Sequence, residues 1–403
     1  MKVLQINTVC GILSTGRICT DLAEVLEAQG HECKIAYGRM TVPEKYQKYA
    51  IKLGNSFTNK IDAGFSRIFD NGGLNSKLPT LGLLKKIKKF DPDIIHLHNL
   101  HGSYINIKIL FKFLKKLNKP VVWTLHDCWT YTGHCAHFTL IGCEKWKTQC
   151  YSCPRTRSYP KSLFLDRSRR NHKLKRKLFT SLDDVTFITP SQWLADVSKM
   201  SFLGKYEIMP IPNGVDLDIF KPTEGDFRKR YGLENKKIIL GVASAWSESK
   251  GINEFAELGR TLGDEYKVVM VGVNETVASQ LPPEILTIPR THNVEELAEI
   301  YTAADVFFNP SRQETMGLTT VEAMACGTPV VTSNCTAVPE VVDENSGIVC
   351  KNLEIDTIKS AIFTVLSRDY PNTRARAEDY EKTQQYHKYL KVYEKVFNKT
   401  EKE

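Results

Sequence analysis

Residues 310–329 hold the densest chemistry in the chain: Pro-Ser-Arg-Gln-Glu-Thr-Met-Gly-Leu-Thr-Thr-Val-Glu-Ala-Met-Ala-Cys-Gly-Thr-Pro. A strand is expected over 306–309, then a turn, then a helix opening near Gly317. Free backbone N–H groups at a helix start attract a diphosphate, and a glycine there lets the backbone approach a ligand closely. Glu314 stands just before that helix and Glu322 about two turns inside it. Carboxylates accept hydrogen bonds from hydroxyls, so two acids at this spacing suit a sugar at the phosphate end and a ribose further along. Lys250-Gly251 is the second feature, between a strand over 238–243 and a helix from 252. A lysine there would neutralise a departing diphosphate as its charge grows.

Other candidates close strands in the first half. His126-Asp127 follows the strand 121–125, where a neutral imidazole can bond a hydroxyl. His96, His98, Asn99 and His101 end the strand 93–98. Side chains alternate faces along a strand, so these histidines are not all expected to converge on one metal. Gly11 and Gly16 form a strand-to-helix turn whose spacing is not the dinucleotide Gly-x-Gly-x-x-Gly. Cys135, Cys143, Cys150 and Cys153 are spaced C-x7-C-x6-C-x2-C within 128–153, with Cys128, His134 and His137 nearby. Four thiolates can close a structural zinc site, two can form a redox-dependent disulfide, or all can be unconnected buried thiols. The chain has 11 cysteines, an odd and mostly scattered set that does not read as a disulfide scaffold.

These residues need scaffolds to hold them. At 403 residues the chain has material for two domains. Strand and helix patterns alternate: strand 3–6, helix 20–28, strand 33–37, helix 81–90, strand 93–98, a basic amphipathic helix 105–117, strand 120–125 and strand 185–189. The pattern restarts after the Asn213-Gly214-Val215-Asp216 loop. Such alternation implies parallel sheets covered by helices on both faces. The expected architecture is α/β with two doubly wound Rossmann-like domains facing across a cleft: a first domain over 1–208 that carries the cysteine-rich insertion 128–153, and a second domain over 209–375. A helix within 376–403 is expected to pack back on the first.

Net charge is +9. Residues 1–210 hold 33 Lys and Arg against 16 Asp and Glu, and the remainder 22 against 30. A basic first half beside an acidic second half suits an anionic membrane surface or, more blandly, a solvated lysine-rich face. The basic run Arg155–Lys177, with Lys85–Lys89 and Lys112–Lys119, is the part expected to attract anionic lipid. No nucleic-acid-binding module is recognisable, so nucleic acid is not an expected partner. No run approaches the length of a spanning helix, and no signal-peptide core follows the opening strand. The expected location is the cytoplasm, on or near the inner membrane face.

The Glu314-x7-Glu322 stretch resembles the signature of family 4 glycosyltransferases, and the resemblance extends along the whole chain. It implies the GT-B fold and a retaining transfer of a sugar from a nucleotide diphosphate sugar to a glycan or lipid-linked acceptor. The setting it implies is bacterial surface polysaccharide synthesis. In this resemblance Glu314 contacts the donor sugar, Glu322 the ribose, and the backbone at Met316, Gly317 and Leu318 the donor phosphates or sugar. Lys250 steadies the diphosphate and His126 faces the transferred sugar. The loops with Gly11, Gly16, His98 and Asn99 lie on the acceptor side. No cofactor is required for catalysis. Family members commonly carry an arginine five residues before the lysine; here that position is Ala245, with Arg312 or Arg290 as possible substitutes. Two rival readings stay open: an epimerase or hydrolase acting on nucleotide sugars, since the fold is shared and does not decide the chemistry, and, given the Ala245 departure, a degenerate donor-binding scaffold subunit.

Overall fold

Short aliphatic runs alternate with amphipathic stretches along the chain. In the computed structural model, which describes residues 1–400, they become parallel strands and the helices that cover them. The chain forms two compact units: Met1–Pro212 with the C-terminal helix from Gln385, and Asn213–Gln384.

The first unit contains β1 (Lys2–Asn7), β2 (Glu32–Tyr37), β3 (Ala50–Lys52), β4 (Ile94–Leu97), β5 (Val121–Thr124), β6 (Val185–Thr189) and β7 (Glu207–Pro210), in the order β3-β2-β1-β4-β5-β6-β7. Every pairing is parallel. β4, β5 and β6 are buried along their whole length, as a parallel sheet with both faces covered requires. On one face Trp123 stacks on Phe187 at 5.4 Å and meets Phe179 edge-on at 4.9 Å. On the other lie Tyr386, Tyr389 and Tyr393 of helix Lys382–Thr400, all buried. The Tyr393 hydroxyl bonds His96 Nδ1 at 2.6 Å, and Thr124 bonds the Tyr389 hydroxyl at 3.3 Å.

The second unit contains β8 (Lys237–Val242), β9 (Tyr266–Val271), β10 (Leu286–Ile288), β11 (Val306–Asn309), β12 (Val330–Ser333) and β13 (Gly347–Cys350), in the parallel order β10-β9-β8-β11-β12-β13. Both sheets are doubly wound. The order reverses between β1 and β4 in the first and between β8 and β11 in the second. Ligands of such sheets bind outside the carboxyl ends of the strands at that switch point, so the loops after these four strands are where chemistry belongs.

Several elements escape the sequence reading, among them β3, β10, β13 and helix Ser56–Phe69. The three strands have only three or four residues, too few for a period to register. Helix Ser56–Phe69 has clear start chemistry. Asn55 accepts the Thr58 N–H at 2.9 Å while Thr58 accepts the Asn55 N–H at 3.0 Å, a complete capping box. Its apolar stripe, however, points away from the core.

Candidate active site

In the second unit the loops after β8 and β11 are laced together. Gly251 adopts φ +79°, and a Cβ there would meet Pro310 Cγ at 2.2 Å. Only glycine provides both the left-handed turn and the space for the proline. Arg312 donates its backbone N–H to Ser249 O at 2.8 Å and its guanidinium to Glu254 Oε1 at 2.5 Å. This contact places Lys250 against Glu314: the lysine ammonium donates to Glu314 Oε1, with both side chains partly exposed. The Glu314 N–H in turn donates to Thr336 Oγ1 at 3.0 Å. Close backbone approach at the end of β9 shapes the same edge, because a Cβ on Gly272 would meet Ala243 O at 1.7 Å.

Helix Leu318–Ala325 starts at Gly317, φ +97°, and no side chain caps it. A Cβ on Gly317 would have room, its nearest contact being Thr320 Oγ1 at 3.6 Å. The requirement for glycine there is therefore conformational. Beneath the turn Asn309 bonds Thr320 Oγ1 at 2.9 Å and the Ser311 N–H at 3.1 Å, and buried Met316 offers its sulfur to the Asn213 N–H at 3.2 Å. Leu318 is half-buried at the first turn. Glu322 accepts a 2.9 Å hydrogen bond from the Tyr301 hydroxyl. That phenol is held well above its ordinary range by burial and by the carboxylate beside it, so it stays a donor. Tyr301 is a site residue the sequence reading missed, since a tyrosine inside an apolar helix stripe reads as core. Of the two substitutes for the arginine absent at Ala245, Arg312 lies in the laced loops and Arg290 is exposed.

The first unit answers with neutral groups. Gly11, φ +71°, donates its N–H to Gly16 O at 2.9 Å and so closes the loop after β1. A Cβ on Gly16 would press on Gly11 N at 3.2 Å. The Asn99 N–H reaches Asn7 Oδ1 at 3.4 Å, and Thr8 donates to His101 O at 2.7 Å, joining the loops after β1 and β4. His96 and His98, two residues apart and therefore on one face, lie with ring centroids 4.0 Å apart. His98 bonds His126 Nε2 through Nδ1 and Gln5 Oε1 through Nε2, both at 3.0 Å. Gln5 Nε2 already donates to Cys19 O at 2.8 Å, so Gln5 Oε1 is an acceptor and the His98 proton sits on Nε2. His98 Nδ1 is then an acceptor, and the His126 proton sits on Nε2. Burial holds all three imidazoles below their ordinary range, His126 at about 4. His101 turns instead to Asp127 at 2.7 Å. Burial opposes ionisation of Asp127, but His101, His137 and the Trp129 N–H together outweigh it and hold the carboxyl at about 2.

The four cysteines line one small cavity of about 20 Å³ with Phe138 and Trp146. Cys150 accepts the Gly133 N–H at 3.2 Å. Among the described residues, however, no three of His, Cys, Asp and Glu are gathered so as to hold a metal ion. Polar ties fix this segment. His134 bonds Asp70 at 2.6 Å, and Asp70 also accepts the Arg167 N–H at 2.7 Å. Lys175 corrects the reading of the basic run as a uniformly membrane-facing charge. It is buried, donates to Trp129 O at 2.6 Å and Thr132 O at 3.1 Å, and burial lowers its ammonium to about 7.

Two doubly wound parallel sheets with polar loops at their switch points are the GT-B architecture. The fold is similar to that of sucrose-phosphate synthase (tll1590) from Thermosynechococcus elongatus, with a TM-score of 0.72 and 16% identity over 98% of this chain and 99% of that one. It is also similar to Anabaena Alr3699/HepE, solved in complex with UDP-glucose, with a TM-score of 0.65 and 15% identity over 97% and 100%. The chain belongs to glycosyltransferase family 4, whose model matches residues 15–219, while the glycosyl transferases group 1 model matches 224–384. It is 27% identical to the putative colanic acid biosynthesis glycosyl transferase WcaC of Escherichia coli (strain K12), over 98% of this chain and 100% of that protein.

Proposed function

We propose that this glycosyltransferase takes a sugar from a nucleoside diphosphate donor and passes it, with retention of anomeric configuration, to a glycan or lipid-linked acceptor in surface polysaccharide assembly. The observation that carries the reading is the pairing of Lys250 with Glu314 at the β8–β11 switch point, beside a helix start that no side chain caps. A donor diphosphate takes Lys250 over from Glu314 and receives the backbone N–H groups around Met316, Gly317 and Leu318. The released Glu314 carboxylate accepts from the donor sugar's hydroxyls, and Glu322, held by Tyr301, accepts from the ribose. Both the lysine and the helix start act on charge that grows on the leaving diphosphate. The diphosphate departs, an oxocarbenium-like centre forms, and the acceptor hydroxyl attacks from the same face while a leaving-phosphate oxygen takes its proton. His126, neutral above about pH 4 and with its Nε2 proton given to His98, accepts a hydrogen bond from a sugar hydroxyl through Nδ1. Support comes from HepE, solved with UDP-glucose, and from the colanic acid role in the name of WcaC.

This chemistry asks for no cofactor on the diphosphate. A zinc held by Cys135, Cys143, Cys150 and Cys153 enters only as a staple for an irregular segment, and metal analysis of the purified protein finding no zinc removes it. The main test is a thermal-shift screen of nucleotide sugars. The stabilising donor is then incubated with lipid-linked acceptors, and the anomeric configuration of the product is read by NMR. An α-linked donor is expected to give an α-linked product. An inverted product, or donor consumed equally fast without acceptor, overturns the reading.

A further inference from the structure

Helix Ser56–Phe69 is built inside out. Its polar residues Asn59 and Asp62 are buried. Asn59 bonds Gly38 O, and Asp62 accepts from Ser66 and Asn75 at 3.0 Å and from Ser76. Those bonds fix which side faces the body of the unit. The opposite side carries Phe57, Ile61, Phe65 and Ile68, spaced four, four and three residues apart and so forming one stripe. All four are exposed, Phe57 by 70%.

Two neighbouring segments extend the stripe. The Leu163 N–H donates to Arg67 O at 2.7 Å, which seats a loop beside the end of the helix, and in that loop Phe164 is 76% exposed. Helix Lys77–Phe90 starts close to the beginning of Ser56–Phe69, since Thr58 and Pro79 both crowd Gly54. Its Leu78 is 80% exposed. An apolar surface of this extent on a water-facing side calls for an occupant.

The charges around it say which. Lys60, Arg67, Lys77 and Lys85 are exposed on the same two helices, and neither helix has an exposed acid: Asp62 is buried, and Lys77–Phe90 contains no Asp or Glu. Protein interfaces are depleted of lysine at their cores. A lipid surface instead rewards aromatic and aliphatic insertion combined with a ring of cations. Among the described residues no helix is long and apolar enough to cross a membrane, so the mode is lying on the surface.

We propose that helix Ser56–Phe69, with Leu78 and Phe164 at its flanks, seats the first unit on an anionic bilayer, the phenyl rings entering the headgroup boundary and the lysines pairing with lipid phosphates. This placement does not depend on the donor chemistry of the second unit. The full chain is floated with vesicles of phosphatidylglycerol and phosphatidylcholine and with vesicles of phosphatidylcholine alone. The wild type is expected to float with the anionic vesicles and to lose most of that binding at high salt. The double variant Phe57→Ser/Phe65→Ser is expected to bind at least about tenfold more weakly. Because both side chains are exposed, its thermal unfolding is expected to match the wild type. Lys60→Glu/Lys77→Glu is expected to weaken binding and flatten its salt dependence. A wild type that stays behind with anionic vesicles overturns the proposal. So does a serine variant that floats as well as the wild type. So does a wild-type dimer that the serine variant dissolves without change in flotation, which would assign the stripe to a second copy of the chain.

Discussion

The two switch points share a topology and differ in electrostatics. At β8–β11 the loops present a charged pair, Lys250 and Glu314, that is partly open to solvent. At β1–β4, with the adjacent end of β5, they present a chain of neutral groups, Gln5, His98 and His126, that is mostly buried. A charged pair near water exchanges partners at small cost, because each ion is only partly desolvated. That suits a site where an anion arrives and leaves. A buried hydrogen-bonded chain holds its proton positions and resists charge, which suits the orientation of sugar hydroxyls. One fold thus supports two kinds of recognition by changing burial, not architecture.

Lys250→Ala tests the charged side with the largest expected effect. Transfer is expected to fall about 10²- to 10³-fold, with thermal unfolding little changed because a partly exposed ion pair contributes little to stability. Glu314→Ala is expected to act in the same direction. Wild-type turnover in either variant would leave the pair without a role in transfer. Gly251→Ala comes next. It combines a left-handed φ with the Pro310 contact and is expected to destabilise the second unit by about 2–4 kcal/mol in chemical denaturation, leaving the first unit's transition in place.

The neutral side is probed by acid. His126 has a folded value of about 4 against an ordinary 6.5, so the unfolded chain binds the proton more readily. The stability linked to His126 is complete above about pH 6.5 and is lost as pH falls towards about 4. Asp127 is lowered from 3.8 to about 2, and its contribution is lost in a separate window, as pH falls from about 3.8 to about 2. Denaturation midpoints measured across pH are expected to show the upper window in the wild type and a shallower slope there in His126→Asn. An unchanged slope would mean that the imidazole is solvated. Smallest is Tyr301→Phe, which removes one hydrogen bond to Glu322. A loss of about 1 kcal/mol is expected to raise the donor KM a few-fold with kcat unchanged; a larger fall in kcat would place Glu322 at the reacting centre.

Much of this site was legible in the chain because its determinants are local. Gly317 opening a helix, with seven residues between the two glutamates, is a strand-turn-helix unit whose geometry is set within twenty residues. The alternation that implied parallel sheets is local too. The cysteine spacing was equally visible, but spacing alone does not set the distances between sulfurs, which the packing of the segment decides when it brings all four to one cavity. Tyr301 stayed hidden because its hydroxyl finds Glu322 only after two helices pack.

The sequence by itself determined the two doubly wound halves, the glycine turns and the acids and cations placed at strand ends, since these depend on backbone preferences and on periods of two and 3.6 residues. Tertiary structure alone decided which charges meet and which are buried. Lys250 reaches Glu314 across 64 residues, His98 reaches His126 across 28, Lys175 leaves the basic surface for the interior, and helix Ser56–Phe69 turns its phenyl rings outward. Each of these outcomes depends on desolvation and on partners supplied by distant strands and helices, and those partners exist only once parallel neighbours have assembled.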